Sequence, residues 1–426
     1  MQQPYKNRSA EELAKALTQA KEQYEVKKAL GLKLNMSRGV PERRQLDISM
    51  GLFTCLSGPE DYMENGLETR NYGVLDGLPA AKALFAELLE VPPDQIIVGG
   101  NSSLKLMYDT VQRGMQFGFG GCLPWNKQSR VVFLCPVPGY DRHFTICERL
   151  GIEMRPIPMT PTGPDMDEVR RQVKDPAVKG IWCVPKYSNP DGVVYSDETV
   201  RAFATLQPAA ADFRIFWDNA YCVHSLYEED DVLLNLQAEA EKAGNPNLAF
   251  TFASTSKITF PGSGVACMAG GKEDIAYIVS LMQAQTIGPD KVNQLRHVRF
   301  FKNADAIRDH MKKHADIIRP KFEAVLERLE SELAGLEIAS WTKPKGGYFI
   351  SLDVMPGTAK RVVALAAEAG VIMTPAGSTW PYKKDPNDSN IRIAPTFPTQ
   401  EEIEKAADTL CACVKLAALE KLTSEK

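Results

Sequence analysis

Lys257 is a single amine placed where an apolar segment ends. It directly follows Ser254-Thr-Ser256, and the residues from about 248 onward are apolar or prone to form a strand. A lysine at the wall of a buried site can lose its proton and form a Schiff base with a carbonyl carbon. A solvated lysine at a strand end has the same local sequence, so the interpretation depends on which other residues converge on Lys257.

The segment 99–103, Gly-Gly-Asn-Ser-Ser, could bind a phosphate group. It follows the apolar residues 96–98 and runs directly into a helical pattern. Free backbone amides at a helix start bind phosphate together with small polar side chains, here those of Asn101 and Ser102. A plain strand-to-helix turn is the alternative interpretation.

Other polar residues follow apolar runs of the same kind. Asp218 ends the run 213–217, and a carboxylate at the C-terminal edge of a parallel sheet needs a cationic partner. Tyr221 could donate a hydrogen bond to the same ligand, Asn189 lies in a turn beside the same edge, and Tyr140 could stack on a planar ring. A helix N-cap, an ordinary Asn-Pro turn and packed core tyrosines explain these residues equally well one at a time.

Apolar runs alternate with helical patterns from about residue 77 onward. Strands are predicted at 95–98, 130–134, 180–184, 213–217, 248–254 and 264–270, and helices at 79–89, 104–113, 142–150 and 197–206. Strands this apolar, separated by helices, indicate an α/β fold with a mostly parallel, seven-stranded type of sheet and helices on both faces. Capping boxes that begin at Ser9 and Thr399 predict an opening and a closing helix.

This pattern divides the chain into three predicted regions. Residues 1–65 form an N-terminal helix and an arm that packs with the small domain, 66–310 form the large domain that binds the ligand, and 311–426 form a smaller α+β domain. The small domain has predicted strands near 346–352 and 391–394. Because the arm is broken by Gly and Pro, we expect it to reach toward a partner subunit.

The composition favours a cytoplasmic protein with a small-molecule ligand. Of the 426 residues 24% are charged and the net charge is -4, which provides no basic surface for nucleic acid. No apolar run is long enough for a membrane span, and the nine scattered cysteines include no Cys-x-x-Cys pair. Among the five histidines only His310 and His314 have a ligand-like spacing, and their Lys/Arg-rich helix predicts a solvated face rather than a metal site.

Taken together, these segments resemble a known family. Ser254-x-Ser-Lys257, Asp218-x-Ala-Tyr, Asn189-Pro-x-Gly, Pro138-Gly-Tyr and Asn390-Ile-Arg occur in the order and at the spacing found in fold-type I pyridoxal-phosphate aminotransferases of class I/II. The amino-acid sequences of segments 256–260 and 287–297 are similar to those of a MocR-like bacterial branch that includes divergent aspartate aminotransferases. The resemblance covers nearly the whole chain.

The resemblance implies a role for each candidate. Lys257 would carry the cofactor as a Schiff base and move the substrate proton, and Asp218 would pair with the pyridinium nitrogen. Tyr221 and Asn189 would hydrogen-bond the phenolate oxygen of the cofactor. The remaining implied roles are ring stacking by Tyr140, phosphate binding by Asn101, Ser102 and Ser254, phosphate binding by Tyr72 from the other subunit of a homodimer, and binding of the substrate α-carboxylate by Arg392.

The chain also departs from the family pattern. Most relatives place a phosphate-binding arginine seven or eight residues after the lysine, whereas 261–265 reads Pro-Gly-Ser-Gly-Val. The turn at Asn189 contains Asp191 where relatives have threonine. The sequence therefore leaves open which group neutralises the phosphate.

The resemblance favours transamination, with aspartate as amino donor and 2-oxoglutarate as acceptor. Asn189 and Arg392 would bind the substrate, and a second carboxylate needs a further cation, for which Arg38, Lys291 and Arg296 are candidates. Lyase chemistry on the same scaffold is an alternative. A ligand-sensing domain without catalysis is another, although relatives of that kind carry an additional DNA-binding module.

Overall fold

The computed structural model describes residues 3–425, and its centre is one large, mostly parallel sheet. In spatial order its strands are Ile96–Val98, Ala266–Gly270, Ala249–Ser254, Arg214–Asp218, Val178–Cys183, Val132–Val137, Glu153–Thr160 and the two-residue Gly163–Pro164. Among residues 3–425, two strands of this sheet, Ala266–Gly270 and Gly163–Pro164, run antiparallel to the other six. The predicted mostly parallel sheet of seven main strands is confirmed.

Helices cover both faces of this sheet, which explains why its strands are apolar throughout. Every residue of Val132–Val137, Val178–Cys183 and Arg214–Asp218 is buried. The helices of this region are Pro79–Leu89, Ser103–Phe117, Asp141–Arg149, Met166–Gln172, Asp197–Ala204, Leu236–Lys242, Lys272–Met282 and Lys291–Phe301. The strand Glu153–Thr160 and the helix Met166–Gln172 were not predicted.

The end of the chain forms a smaller α+β region. Its strands Ala339–Trp341, Ile350–Val354 and Asn390–Ile393 form an antiparallel sheet, and its helices are Ala359–Glu368 and Gln400–Ser424. The long helix Ala304–Leu333 runs through residue 310 and so connects the large and small regions. Both predicted capping boxes are present, at Ser9 and at Thr399.

The N-terminal residues pack on the small region. The helix Ala10–Lys28 shares a buried apolar core with Gln400–Ser424, and Tyr24 donates a hydrogen bond to the Leu365 carbonyl at 3.1 Å. The arm that follows contains the short helix Arg43–Asp47. The strand Leu34–Asn35 pairs with Val371–Ile372 of the small region. Farther along the chain, Met63–Glu64 and Leu67–Glu68 form a short hairpin.

A buried ion pair attaches the arm to the long helix. The Nζ of Lys321 lies 2.6 Å from Oε2 of Glu42 and also donates to the Thr396 carbonyl at 2.9 Å. The Lys321 side chain is 0% exposed and that of Glu42 is 7% exposed. Burial lowers the pKa of Lys321, and the Glu42 carboxylate opposes this shift.

The predicted solvated face at His310 and His314 is wrong. The two histidines are 6% and 0% exposed, whereas Lys312 and Lys313 project into solvent from the other side of the helix. His314 lies 3.1 Å from the Gln45 amide of the arm, and His310 lies 3.0 Å from the Ile258 carbonyl. Burial lowers the pKa of His310 to about 4 and that of His314 to about 3.

Residues 3–425 contain neither a membrane-spanning helix nor a cluster of metal-binding side chains. None of the helices described has both the length and the apolar character needed to cross a membrane. In the same part of the chain, no three His, Cys, Asp or Glu side chains are grouped so that they could hold a metal ion.

Candidate active site

A cavity of about 480 Å³ lies between the C-terminal edge of the large sheet, the arm and the small region. Seven of the residues predicted from the sequence line it together: Arg38, Tyr140, Asn189, Asp218, Tyr221, Lys257 and Arg392. Parallel strands place their carboxyl ends at one edge, so residues far apart in sequence meet there. Asn101, Ser102, Ser254 and Tyr72 do not line this cavity.

Lys257 follows the strand Ala249–Ser254 and points its amine into the cavity between two tyrosines. Its Nζ lies 5.1 Å from the ring centre of Tyr221 and 5.8 Å from that of Tyr348. Burial lowers the pKa of the Lys257 amine, and the nearby Asp218 carboxylate acts in the opposite direction. A lowered pKa increases the fraction of neutral amine, which is the form that attacks carbonyl carbon.

Asp218 is a buried carboxylate with one oxygen bound and one oxygen free. Its Oδ2 lies 3.0 Å from Nε2 of His143, whose ring stacks on Trp182 with centroids 4.4 Å apart. Its Oδ1 is buried without a hydrogen-bond partner among the residues that the structure describes. An orphaned buried carboxylate oxygen is costly, and a protonated ring nitrogen would satisfy it. This free acceptor oxygen therefore fits the N–H of a pyridinium group.

His143 was missed as a site residue by the sequence reasoning. It belongs to the first turn of the helix Asp141–Arg149, three residues after Tyr140, and is 1% exposed. One sequence signal could have identified His143. It lies three residues after Tyr140, the candidate ring-stacking residue, where a strand is followed by a helix. His143 fixes the orientation of the Asp218 carboxylate, which leaves Oδ1 for the ligand.

The tyrosines of the site remain protonated. Burial raises the pKa of Tyr221 and Tyr140 well above the ordinary value, and the negative charge of Asp218 raises both further. Tyr221 is 3% exposed, and its ring lies 6.1 Å from that of Tyr348. The Tyr221 hydroxyl is thus a permanent hydrogen-bond donor at neutral pH.

Arg392 is held at the cavity by the arm, the large region and the small region. The side chain is 5% exposed, and its guanidinium lies 4.8 Å from the ring centre of Phe349. It donates from Nη1 to Asp141 Oδ1 (2.9 Å) and Asn189 Oδ1 (3.2 Å), and from Nη2 to Thr374 Oγ1 (3.3 Å) and the Ser37 carbonyl (3.4 Å). Its Nε has no partner within residues 3–425. The guanidinium is rigidly oriented for a planar anion.

Asn101, Ser102 and Ser254, three of the four residues predicted to bind the phosphate, lie in a polar cluster next to the cavity-lining Ser103. Ser254 Oγ donates to Ser256 Oγ at 3.0 Å, and Ser256 Oγ donates to the Asn101 carbonyl at 3.2 Å. Ser102 caps the helix that follows with its own hydroxyl. Ser103 lines the cavity instead, next to this helix start. Hydroxyls and a helix N-terminus are a suitable environment for an anion.

Two of the three cations proposed for a second carboxylate lie elsewhere in this chain. Lys291 is 5% exposed at the start of its helix, and Arg296 lies 5.9 Å from the ring centre of Phe53. Neither lines the cavity, whereas Arg38 does. Arg142, which the sequence reasoning did not select, lines it as well.

Comparisons with known proteins agree with this geometry. The model of the aspartate amino-transferase family matches residues 8–426. An aspartate aminotransferase of Corynebacterium glutamicum is 46% identical over 402 residues, which are 94% of this chain and 93% of that protein. A protein of Mycolicibacterium smegmatis named as an aminotransferase is 50% identical over 399 residues, 93% of each chain.

A solved structure shows the same fold. The crystal structure of an aspartate transaminase from Corynebacterium glutamicum has a TM-score of 0.95 and 44% identity, and the match covers 97% of this chain and 98% of that one. The cavity described above contains a lysine amine, a carboxylate oxygen without a partner in residues 3–425 and an oriented arginine. The chain therefore belongs to the aspartate aminotransferase family and is a pyridoxal-phosphate-dependent aminotransferase of fold type I.

Proposed function

We propose that this protein transfers the amino group of L-aspartate to 2-oxoglutarate, with pyridoxal phosphate bound covalently through Lys257. The observation that carries the proposal is the presence of Lys257, the free Oδ1 of Asp218 and the oriented guanidinium of Arg392 at a single cavity. When bound, the cofactor supplies an electron sink for the bonding electrons of the substrate Cα–H bond. Binding, orientation and proton transfer would be performed by side chains of the protein.

Asp218 and His143 would keep the cofactor ring nitrogen protonated. The free Oδ1 would accept the ring N–H, while the 3.0 Å contact with His143 prevents the carboxylate from rotating away. Tyr221 and Asn189 would contact the phenolate oxygen, and Tyr140 would cover the ring. These contacts come from different strand ends, so the ring would be held in one orientation.

Lys257 would act twice at the same Nζ atom. It would hold the cofactor covalently, and once released its neutral amine would accept the proton from the substrate Cα and would later donate that proton again. The lowered pKa of Lys257 supports the second role because the amine must be neutral to accept a proton. Arg392 would bind the α-carboxylate and so place the Cα proton toward this amine.

The polar cluster of Asn101, Ser102 and Ser254 would bind the cofactor phosphate. Tyr72 would reach the phosphate of the neighbouring subunit, since its side chain is 81% exposed and so is available to a partner. The active unit would then be a homodimer with shared sites. In this arrangement residues 66–310 carry the cofactor, and the arm in 1–65 and the small domain in 311–426 close over the substrate.

The test is a spectroscopic titration of purified protein with amino acids. We expect a visible absorption band that disappears when aspartate is added, with formation of oxaloacetate. After 2-oxoglutarate is added, glutamate should form. Lys257→Ala should lack the band, whereas Lys105→Ala should retain it because Lys105 is paired with Asp109 on an exposed helix face. Release of ammonia in proportion to the keto acid would instead indicate a lyase.

A further inference from the structure

The turn that carries Lys257 is not held by regular structure. Lys257 and Ile258 lie between the strands Ala249–Ser254 and Ala266–Gly270, and within residues 3–425 no backbone N–H donates to the carbonyl of either residue. A carbonyl outside helices and strands needs another donor, and a loop without such bonds shifts more easily. The position of the Lys257 amine therefore depends on side chains that bind these two carbonyls.

Those side chains come from elements outside the large sheet. His310 of the long helix has its Nε2 3.0 Å from the Ile258 carbonyl, and Ser49 of the arm donates to the same carbonyl at 3.4 Å. The hydroxyl of Tyr348, in the small region, donates to the Lys257 carbonyl at 3.5 Å. The arm, the long helix and the small region thus all contact the backbone at the lysine.

Gln45 of the arm determines where the Tyr348 hydroxyl proton points. The Gln45 Oε1 accepts from the Glu42 backbone N–H at 3.0 Å, so its Nε2 is the donor toward the other neighbours. This Nε2 lies 2.9 Å from the Tyr348 hydroxyl oxygen and 3.1 Å from Nδ1 of His314. Because an amide nitrogen only donates, the Tyr348 oxygen accepts here and its own proton is left for another group. Within residues 3–425 the Lys257 carbonyl is the one acceptor in reach of that proton.

The groups around Tyr348 are buried and neutral. Gln45 and His314 are 0% exposed, and Tyr348 is 1% exposed. Burial raises the pKa of the Tyr348 hydroxyl above its ordinary value and lowers the pKa of His314 to about 3, so neither side chain changes its charge near neutral pH. A buried polar network whose members are bonded to one another is rigid. Tyr348 is therefore held in one orientation beside the lysine.

Tyr348 lies beside both ends of Lys257. Its hydroxyl contacts the backbone carbonyl, and its ring centre lies 5.8 Å from Nζ. Tyr348 does not line the cavity, so any effect on the reaction must act through the lysine.

We infer that Tyr348 is a positioning residue for Lys257 and that Gln45 holds Tyr348 in this role. The inference rests on the proposed function, in which Lys257 carries the cofactor and moves the Cα proton. The Tyr348 hydroxyl would fix the lysine backbone, and its ring would confine the path of the side chain. Such placement matters because a displacement of about 1 Å can cost about a hundredfold in rate.

The first test compares Tyr348→Phe with the control Tyr24→Phe. Both tyrosines are buried and donate to a backbone carbonyl, but neither Tyr24 nor its acceptor Leu365 lines the cavity. For Tyr348→Phe we expect kcat to fall about tenfold while KM for aspartate changes less than about twofold, because the substrate contacts stay in place. Tyr24→Phe should keep both constants.

Capture of the cofactor provides a measurement that does not depend on turnover. Pyridoxal phosphate added to the cofactor-free protein should form the visible absorption band about tenfold more slowly in Tyr348→Phe than in wild type, because attack by Lys257 needs the same placement. Tyr24→Phe should match the wild type. If Tyr348 merely supports the fold, both variants will lose unfolding free energy alike and neither rate will fall.

Gln45→Met tests the second part of the inference. It removes the amide that holds the Tyr348 hydroxyl, so it should lower kcat and slow band formation in the same way. Added to Tyr348→Phe, it should lower either rate by less than about a further twofold, because both changes break one chain of contacts. Effects that multiply in the double variant would refute the role of Gln45. If Tyr348→Phe does not fold, wild-type rates in Gln45→Met would refute the inference.

The outcomes separate this inference from the proposed function. A wild type that forms no visible band would refute both. A wild type that forms the band and transaminates alanine but not aspartate would refute the proposed substrate, and the rate of band formation would still decide the role of Tyr348. Wild-type kcat and band formation in a folded Tyr348→Phe would refute the inference alone.

Discussion

Replacing Glu42 by glutamine should strongly destabilise the protein, because it leaves the Lys321 charge buried without a counter-ion. The Lys321 side chain is 0% exposed and lies 2.6 Å from Glu42. Removing one partner of such a pair costs about 3–5 kcal/mol. The Thr396 carbonyl, 2.9 Å from the Lys321 Nζ, remains as an acceptor. We therefore expect a loss near the lower end, about 3 kcal/mol of unfolding free energy.

The pH dependence of this loss has a defined sign. Burial already lowers the pKa of Lys321, and Glu42 is the main group that opposes the shift, so Glu42→Gln should lower the pKa further. A lysine whose folded pKa lies below its unfolded pKa destabilises the fold while it must stay charged, and this penalty shrinks as pH rises toward the unfolded value. The stability difference between Glu42→Gln and wild type should therefore decrease from pH 7 to pH 9.5.

Urea unfolding at constant protein concentration, followed by circular dichroism at both pH values, measures these effects. The matched control is Glu330→Gln, which breaks an exposed pair with Lys343 whose side chains are 65% and 57% exposed. That control should cost no more than about 1 kcal/mol. Equal losses in the two variants, or a Glu42→Gln deficit that grows toward pH 9.5, would refute the reasoning.

Further predictions concern the cofactor, the dimer and acid stability. Asp218→Asn should weaken cofactor binding about tenfold to a hundredfold, as expected for loss of a charge-assisted hydrogen bond, and fluorescence titration of the cofactor-free protein measures this. Tyr72→Ala and Lys257→Ala homodimers should each be nearly inactive, and mixing them under exchange conditions should restore activity, because a hybrid has one intact site; no recovery would contradict a shared site. His310→Gln should make the unfolding free energy less sensitive to acid between pH 6.5 and about 4, since the lowered pKa of buried His310 makes the unfolded state bind protons first in that interval.

Local patterns in the sequence predicted most of the large sheet. The helix Pro79–Leu89 has its predicted bounds, and the strand Ala249–Ser254 ends where the hydroxyl residues before Lys257 begin. The strand Glu153–Thr160 was missed because Pro156 and Pro158 interrupt its pattern. Within residues 3–425 its one neighbour on the outer side is the two-residue strand Gly163–Pro164, and proline is tolerated near a sheet edge.

Charge patterns were a weaker guide than apolar patterns. The lysines around His310 and His314 suggested a solvated helix. A helix turns by about 100° per residue, however, so Lys312 lies on nearly the opposite face from both histidines. The face with the histidines packs against the arm through Gln45. Which face of a helix is buried depends on the element that packs against it. Here that element is the arm, and the two contacting residues are 269 positions apart in sequence.

The sequence by itself indicated the family, through the resemblance of its short motifs, and the existence and order of most strands of the large sheet, while the cofactor role of Lys257 stays a prediction. Apolar runs, caps and motifs act within a few residues and can therefore be recognised without the fold. Only the tertiary structure decided how the charges are paired. His143 meets Asp218 across 75 residues, and Asp141 meets Arg392 across 251. Such contacts depend on how whole elements pack, which is why the Oδ1 of Asp218, without a partner among residues 3–425, was visible only in the fold.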